Sequence, residues 1–314
     1  MLCTFKHSNM SLLYENAPDS NTLQFFKENS TRLFIFALVF QTSTLVTLLY
    51  LSLKDRVPNI EYFWIALAIK IAFIGLTMYC CGVAVNRSLL KVSYSRKIVH
   101  VVFFLSPTVE IFLPRIKDQF QLIIACWNIH SVIWILLLIT KPVRNRFEVI
   151  QTMYTSSNRL TDRGLTQIYA FVQIISSIVI ISMFALLFDY LDVSQKLIFI
   201  PILSVALGDG MAEVVAQIFE DFRICGGVHE YKTTGCCSGD RQFVRSFEGS
   251  ATVFLGTLGS IFVAYSECSK NQLVFIFSVL PITMTILEAK APHSLDNPFL
   301  LSWGYFVVLL STVL

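Results

Sequence analysis

The stretch LIFIPILSVALGDGMAEVVAQIF, residues 197–219, decides the class of fold. Its first half is apolar except for Ser204, and no residue pattern of period two runs through it. A helix needs roughly 20 mostly apolar residues to cross the hydrocarbon core of a membrane, and this stretch supplies that length. Lipid offers no partner for backbone N–H and C=O groups, so a crossing segment is a helix or part of a closed barrel. A continuous apolar run selects the helix. The same stretch also carries Asp209 and Glu213, where an apolar helix should hold no charge.

Working outward, the whole chain repeats the theme. Of 314 residues, 55% are hydrophobic and 14% charged, with a mean hydropathy of +0.65. Soluble domains carry about 25% charged residues. Apolar runs at 33–53, 60–81, 98–113, 119–140, 165–188, 197–219, 249–265, 272–287 and 299–314 predict an all-α, polytopic transmembrane bundle of about nine spans. Residues 1–32 read as a polar segment without a signal-peptide pattern, and 33–314 as one membrane domain. A net charge of +3 gives no ground for nucleic-acid binding. The eight cysteines do not form a disulfide framework; Cys80, Cys81 and Cys126 lie in apolar runs as small hydrophobes.

Charge placement gives the bundle a direction. With the N-terminus in the cytoplasm, alternate loops collect 17 of the 24 Lys and Arg on that side and 6 on the other, as the positive-inside rule requires. Lys70 falls within a span. The active face is therefore expected at the cytoplasmic side, where the polar segments 94–100, 208–249 and 288–297 all adjoin span ends.

Asp209 and Glu213 are four residues apart and share a helix face. Carboxylates inside a membrane segment are costly and face a polar cavity or a cation. Gly208 and Gly210 allow a bend or the close approach of a ligand. Two carboxylates beside small residues suit Mg²⁺ carrying phosphate oxygens; the alternative is a helix-packing site. Further on, FVRSFEGS, residues 243–250, opens a helix with Ser246 as its cap and Glu248 at its positive end. With Arg245, Gly249 and Ser250 alongside, that helix start also suits a phosphate. Glu288, Asp296 and Asn297 add oxygen donors around a turn bracketed by Pro292 and Pro298. Arg96 and His100, four apart at the entry to the third span, form a basic anchor at headgroup level or a grip on phosphate. Cys225, His229, Cys236 and Cys237 share a loop without zinc-site spacing. Lys70 and Glu110 pair or line a pathway, and His130 reads as a structural histidine. No Walker A loop, nucleophile elbow or zinc-protease motif is present in the sequence.

Four of these stretches in order, SRKIVH (95–100), LGDGMAEVVAQIF (207–219), RSFEGSATVFLG (245–256) and LEAKAPHSLDN (287–297), resemble the membrane lipid-alcohol kinases that include dolichol kinase, phytol kinase and the CTP-dependent diacylglycerol kinase. The resemblance spans about residues 95–297. It implies transfer of the terminal phosphoryl group of CTP or ATP to the hydroxyl of a membrane lipid alcohol, with Mg²⁺. Asp209, Glu213 and Asp296 would then be the catalytic carboxylates, with Asp209, Glu213 and Glu248 around the metal. Arg96, Lys97, His100, Gly208, Gly210, Lys232, Arg245, Ser246, Glu248, Gly249, Ser250 and Asn297 would bind nucleotide or phosphate. The segment EDFRICGGVHEYKTTGCCSGDRQFV, residues 220–244, departs from the compact basic stretch of that family. Two other readings differ in class: CDP-lipid synthesis by a cytidylyltransferase, and a polytopic transporter using Lys70, Glu110, Asp209 and Glu213.

Overall fold

The computed structural model describes residues 60–106, 141–158, 166–234, 242–291 and 296–313, with the single positions 39, 131, 133 and 134. The expected first and fourth spans, Glu110, His130, Cys236 and Cys237 lie outside the described residues. Helices stand at the other expected spans. They are α1 (Ile60–Asn86), α2 (Val92–Leu105), the short α3 (Lys141–Arg146) and α4 (Glu148–Thr155), and α5 (Thr166–Tyr190). Then follow α6 (Phe199–Leu203), α7 (Gly210–Phe222), α8 (Phe247–Ile261), α9 (Lys270–Lys290) and α10 (Asp296–Ser311). Among the described residues, four helical segments are long and apolar enough to cross a membrane: Trp64–Asn86, Lys196–Phe222, Phe247–Glu267 and Lys270–Lys290.

The stretch that decided the fold lies at the centre. In Lys196–Phe222 the apolar window is 72% buried, against 33% in each of the other three. α6 joins α7 through one π-helical segment, Ser204–Asp209, in which Gly210 N–H bonds to Val205 O. Such wide turns recur at functional sites. α8 packs along this central segment and against α9; α10 joins α9 to α5, and α2 lies against α7. Ile200, Ile202, Val205, Ile261, Leu280 and Leu301 form the middle of the core. Outward faces carry large apolar side chains, among them Phe73, Leu255, Val274 and Ile282, an exposure that water would penalise and lipid would not.

α5 and α10 run parallel. Gln173 meets Asp296 near one end of their seam, and Phe184 stacks on Tyr305 further along at 4.8 Å. α2 and α7 run antiparallel, with Lys91 on Asp221 and Arg96 on Glu213.

The all-helical expectation needs one correction. β1 (Glu230–Thr234) and β2 (Gln242–Ser246) form an antiparallel hairpin, with Glu230 opposite Ser246 and Lys232 opposite Val244. The short sequences EYKTT and QFVRS mix aromatic and β-branched with polar residues, which suits a half-covered ribbon. They are too brief and too polar to register against the long apolar runs on either side.

The glycines also take a different part from the one expected. A Cβ on Gly256 would lie 2.7 Å from Gly208 N and 2.9 Å from its Cα, so α8 touches the central segment backbone to backbone. Gly208 and Gly210 therefore serve helix contact: a Cβ on Gly210 would meet Val101 at 2.6 Å and His100 at 3.2 Å. Gly259, on the same helix as Gly256, faces open space. Gly256→Leu should lower unfolding stability in detergent by about 1–3 kcal/mol through overpacking against backbone that has nowhere to move. Gly259→Ala should be neutral or slightly stabilising, so equal losses in the two variants would refute this contact.

Candidate functional site

The site is built on an antiparallel ladder between α2 and α7. At its outer end Lys91 Nζ donates to Asp221 Oδ1 at 2.7 Å, and Tyr94 donates to Oδ2 at 3.0 Å. Ser93 Oγ donates to Gln217 Oε1 at 2.9 Å. Further in, Arg96 Nη2 donates to Glu213 Oε2 at 2.6 Å. Innermost, Lys97 Nζ donates to the Asp209 carbonyl at 3.0 Å and lies 3.2 Å from its Oδ2. The ladder works because Lys91, at the cap of α2, is followed by Tyr94 and Lys97 at helical spacing, while Asp209, at the end of the π-helical segment, is followed by Glu213, Gln217 and Asp221 every four residues along α7.

Lys97 and Asp209 are 7% and 5% exposed, so the innermost rung is a buried ion pair. His100 adds a third group, its Nε2 3.7 Å from Asp209 Oδ2 and its ring 4.7 Å from Phe104. His100 Nε2 is buried without a hydrogen-bond partner. The expected companionship of 95–100 with 208–213 is thus direct contact.

The segments that follow close the site from the other side. Arg245 Nη1 lies 3.3 Å from Glu288 Oε1, and its Nη2 donates to the Glu288 carbonyl at 3.1 Å. This pair ties the end of β2 to the end of α9. Both Glu288 and Asp296 lie in the electrostatic field of Asp209 and Lys97. Asp296 opens α10, ahead of the apolar stretch 299–314. Burial, then the neighbouring Asp209 charge, raise its carboxyl from the usual range to about 7, against the pull of Lys97. Gln173 Nε2 on α5 donates to Asp296 Oδ1 at 2.8 Å, and Asn297 N donates to the same oxygen at 2.9 Å. The Asn297 side-chain oxygen is buried without a hydrogen-bond partner among the described residues.

Other predicted members have local partners in the hairpin and at the start of α8. Glu248 binds His229, with Oε1 2.7 Å from Nδ1, and fastens the hairpin to the start of α8. Ser246 Oγ accepts from Gly249 N at 3.0 Å as the cap of α8, and Ser250 Oγ lies 2.7 Å from the Tyr231 hydroxyl. Lys232 is exposed on β1. A Cβ on Gly249 would touch Ser246 Oγ, so its place is the cap.

The expected metal trio of Asp209, Glu213 and Glu248 is not assembled. Among the described residues no set of three His, Cys, Asp or Glu side chains is arranged to hold a metal. Asp209 and Glu213 do converge, both on Lys97 Nζ, at 3.2 and 3.9 Å. Two carboxylates meeting at one cationic point fit the oxygen-donor chemistry of Mg²⁺. Glu248 belongs to the hairpin instead. Sequence reading also passed over Gln173, the deeper of two amides in the run 165–188, whose signal was its cost in an apolar setting. No protein-family model, curated protein or solved structure matches the chain.

Removing one partner of a buried ion pair strands the other, at about 3–5 kcal/mol. Lys97→Met should therefore destabilise the protein on that scale, and Lys97→Met with Asp209→Asn should recover most of the loss in detergent unfolding. A double variant no better than the single would refute the pairing.

Asp296 sets a pH dependence. Burial and the Asp209 charge push its carboxyl up to about 7 in the folded protein, well above the usual carboxylate value of about 4. Between these the folded protein keeps a proton that the unfolded chain releases, so this group's contribution to stability falls as pH rises through that window. Asp296→Asn should melt higher than wild type at about pH 8 and alike near pH 4. Parallel melting curves across that range would rule this out.

Proposed function

We propose that this protein is a polytopic membrane phosphotransferase. It would move the terminal phosphoryl group of CTP or another nucleoside triphosphate to the hydroxyl of a membrane lipid alcohol such as phytol, a polyprenol, dolichol or diacylglycerol. The observation that carries the reading is the convergence of Arg96 and Lys97 from α2, Asp209 and Glu213 from the central segment, Arg245 from β2 and Asp296 from α10. Phosphoryl transfer asks a protein mainly for positioning and charge stabilisation, and this set offers both signs in one place.

The topology that goes with the proposal has about nine spans and a cytoplasmic N-terminus. The parallel run of α5 and α10 supports it, since these are the fifth and ninth expected spans and both start on the cytoplasmic side. The active face is then cytoplasmic, where a nucleotide is available and a lipid hydroxyl sits at headgroup level.

In this mechanism Arg96, Lys97 and Arg245 meet phosphate oxygens, while His100 and Asn297 hydrogen-bond substrate. Asp209 and Glu213 would hold Mg²⁺, which would supply positive charge to offset that of the phosphate. The acceptor oxygen attacks the terminal phosphorus as a carboxylate takes its proton. The bond to the bridging oxygen breaks, and the nucleoside diphosphate leaves with the electron pair. The buried walls exclude water that would otherwise compete with the alcohol.

Purified protein should convert CTP or ATP to the diphosphate only when phytol, farnesol, a polyprenol or diacylglycerol is supplied. Asp209→Asn should lower that rate by on the order of a hundredfold or more. Release of pyrophosphate would favour the cytidylyltransferase reading, and full activity in Asp209→Asn would remove Asp209 from the centre.

A further inference from the structure

We propose that Gln173 is a positioning residue that holds the Asp296 carboxylate as the group that takes the proton of the acceptor alcohol. The proposal rests on the phosphotransferase reading above and adds to it a base and the device that aims it.

Three features of the α5–α10 seam lead there. First, Asp296 Oδ1 takes hydrogen bonds from two elements, Gln173 Nε2 at 2.8 Å and Asn297 N at 2.9 Å. Two donors on one oxygen, one from each helix, fix the plane of the carboxylate. Second, the seam is locked in register at its far end, where Tyr305 stacks on Phe184 at 4.8 Å and meets Phe188 edge-on at 6.3 Å. Gln173 therefore has a rigid base of support. Third, the Asn297 side-chain oxygen lies buried beside Asp296 without a hydrogen-bond partner among the described residues. An unsatisfied buried acceptor is costly, and a ligand donor would relieve that cost. A hydroxyl is such a donor.

The division of labour among the carboxylates follows. Asp209 and Glu213 are engaged with the cations of α2, where they balance charge. Asp296 takes amide hydrogen bonds instead and stands in the same electrostatic field. In the step, the alcohol O–H bond breaks and its proton passes to Asp296, while its oxygen bonds to the terminal phosphorus. The nucleoside diphosphate departs with the electrons of the broken P–O bond, and Asp296 later returns the proton to water. Gln173 touches none of the reacting atoms; it holds the atom that does.

The test compares wild type, Gln173→Glu, Asp296→Asn and the swap Gln173→Glu with Asp296→Asn, in detergent, with CTP or ATP and the best acceptor. Gln173→Glu keeps the shape and removes the donor. It should lose on the order of a hundredfold in kcat, the scale of a misplaced catalytic group, with the nucleotide KM held within about threefold. In the swap an amide again faces a carboxyl across the seam but the base is gone, so kcat should stay as low as in Asp296→Asn. Should Gln173→Glu not accumulate, Gln173→Met carries the same kinetic expectation. Wild-type kcat in Gln173→Glu overturns the role of Gln173, and a swap that regains kcat overturns Asp296 as the base, while the phosphotransferase reading stands in both cases. Absence of transfer by the wild type with every donor and acceptor overturns the phosphotransferase reading, and this role with it.

Discussion

The buried pair of Lys97 and Asp209 is the constraint on which the rest of the structure depends. An isolated charge in a low-dielectric interior is so costly that the chain must bring it a partner. Here the partner comes from another helix, 112 positions away. Satisfying it obliges α2 to lie along α7, and that approach is possible only because Gly210 offers no side chain to Val101 and His100. The π-helical segment just before Asp209 belongs to the same solution, since it alters the rotation at which the following helix presents its carboxylates. On the opposite side Gly256 lets α8 press against Gly208. Chemistry and packing are thus set by the same few residues.

The pair also bears on depth. Of the 27 residues in Lys196–Phe222, the 13 of Gly210–Phe222 extend about 20 Å and carry the ladder to α2. What precedes Gly210 reaches only about 20 Å, short of the roughly 30 Å hydrocarbon core. On the proposed topology the ladder therefore starts inside the apolar boundary and climbs to the headgroups, ending at the exposed Lys91 and Asp221. A lipid alcohol would find Asp209 within reach without leaving the bilayer, while a nucleotide would approach along the polar rungs.

How much of this could be read from the sequence depends on the range of the signal. Helix positions follow from apolar runs, which are local, and six of the nine-span expectations recur closely in α1, α5, the central segment, α8, α9 and α10. Asp209, Glu213, Arg96, Lys97 and Asp296 stood out because charge beside an apolar run is expensive wherever it occurs. Pairings were not legible. Nothing local distinguishes Glu248, held by His229, from Glu213, held by Arg96. Gln173 hid because an amide in an apolar helix is a mild anomaly until its partner is known, and Gln167 on the same helix gives the same signal. The hairpin escaped because its strands are five residues each in a polar loop. The glycines were visible, but whether they admit a ligand or a helix is decided by what lies opposite.

The ion pairs have a consequence for how a phosphate-bearing substrate would enter. Arg96 and Lys97 already have anionic partners, so a triphosphate cannot simply occupy vacant cations; it must exchange with Glu213 and Asp209. In the proposed reaction the exchange would be balanced: Lys97 and Arg96 would turn to phosphate, and Asp209 and Glu213 would be left to hold the divalent cation that accompanies a triphosphate. Neither state leaves a bare charge in the low-dielectric interior, which keeps the cost of switching far below that of breaking a buried pair outright. The ladder then holds the helices together before the nucleotide arrives, and its inner rungs become the site once it does. Lys91 and Asp221, too exposed to contribute much to stability, would keep α2 and α7 in register during the change.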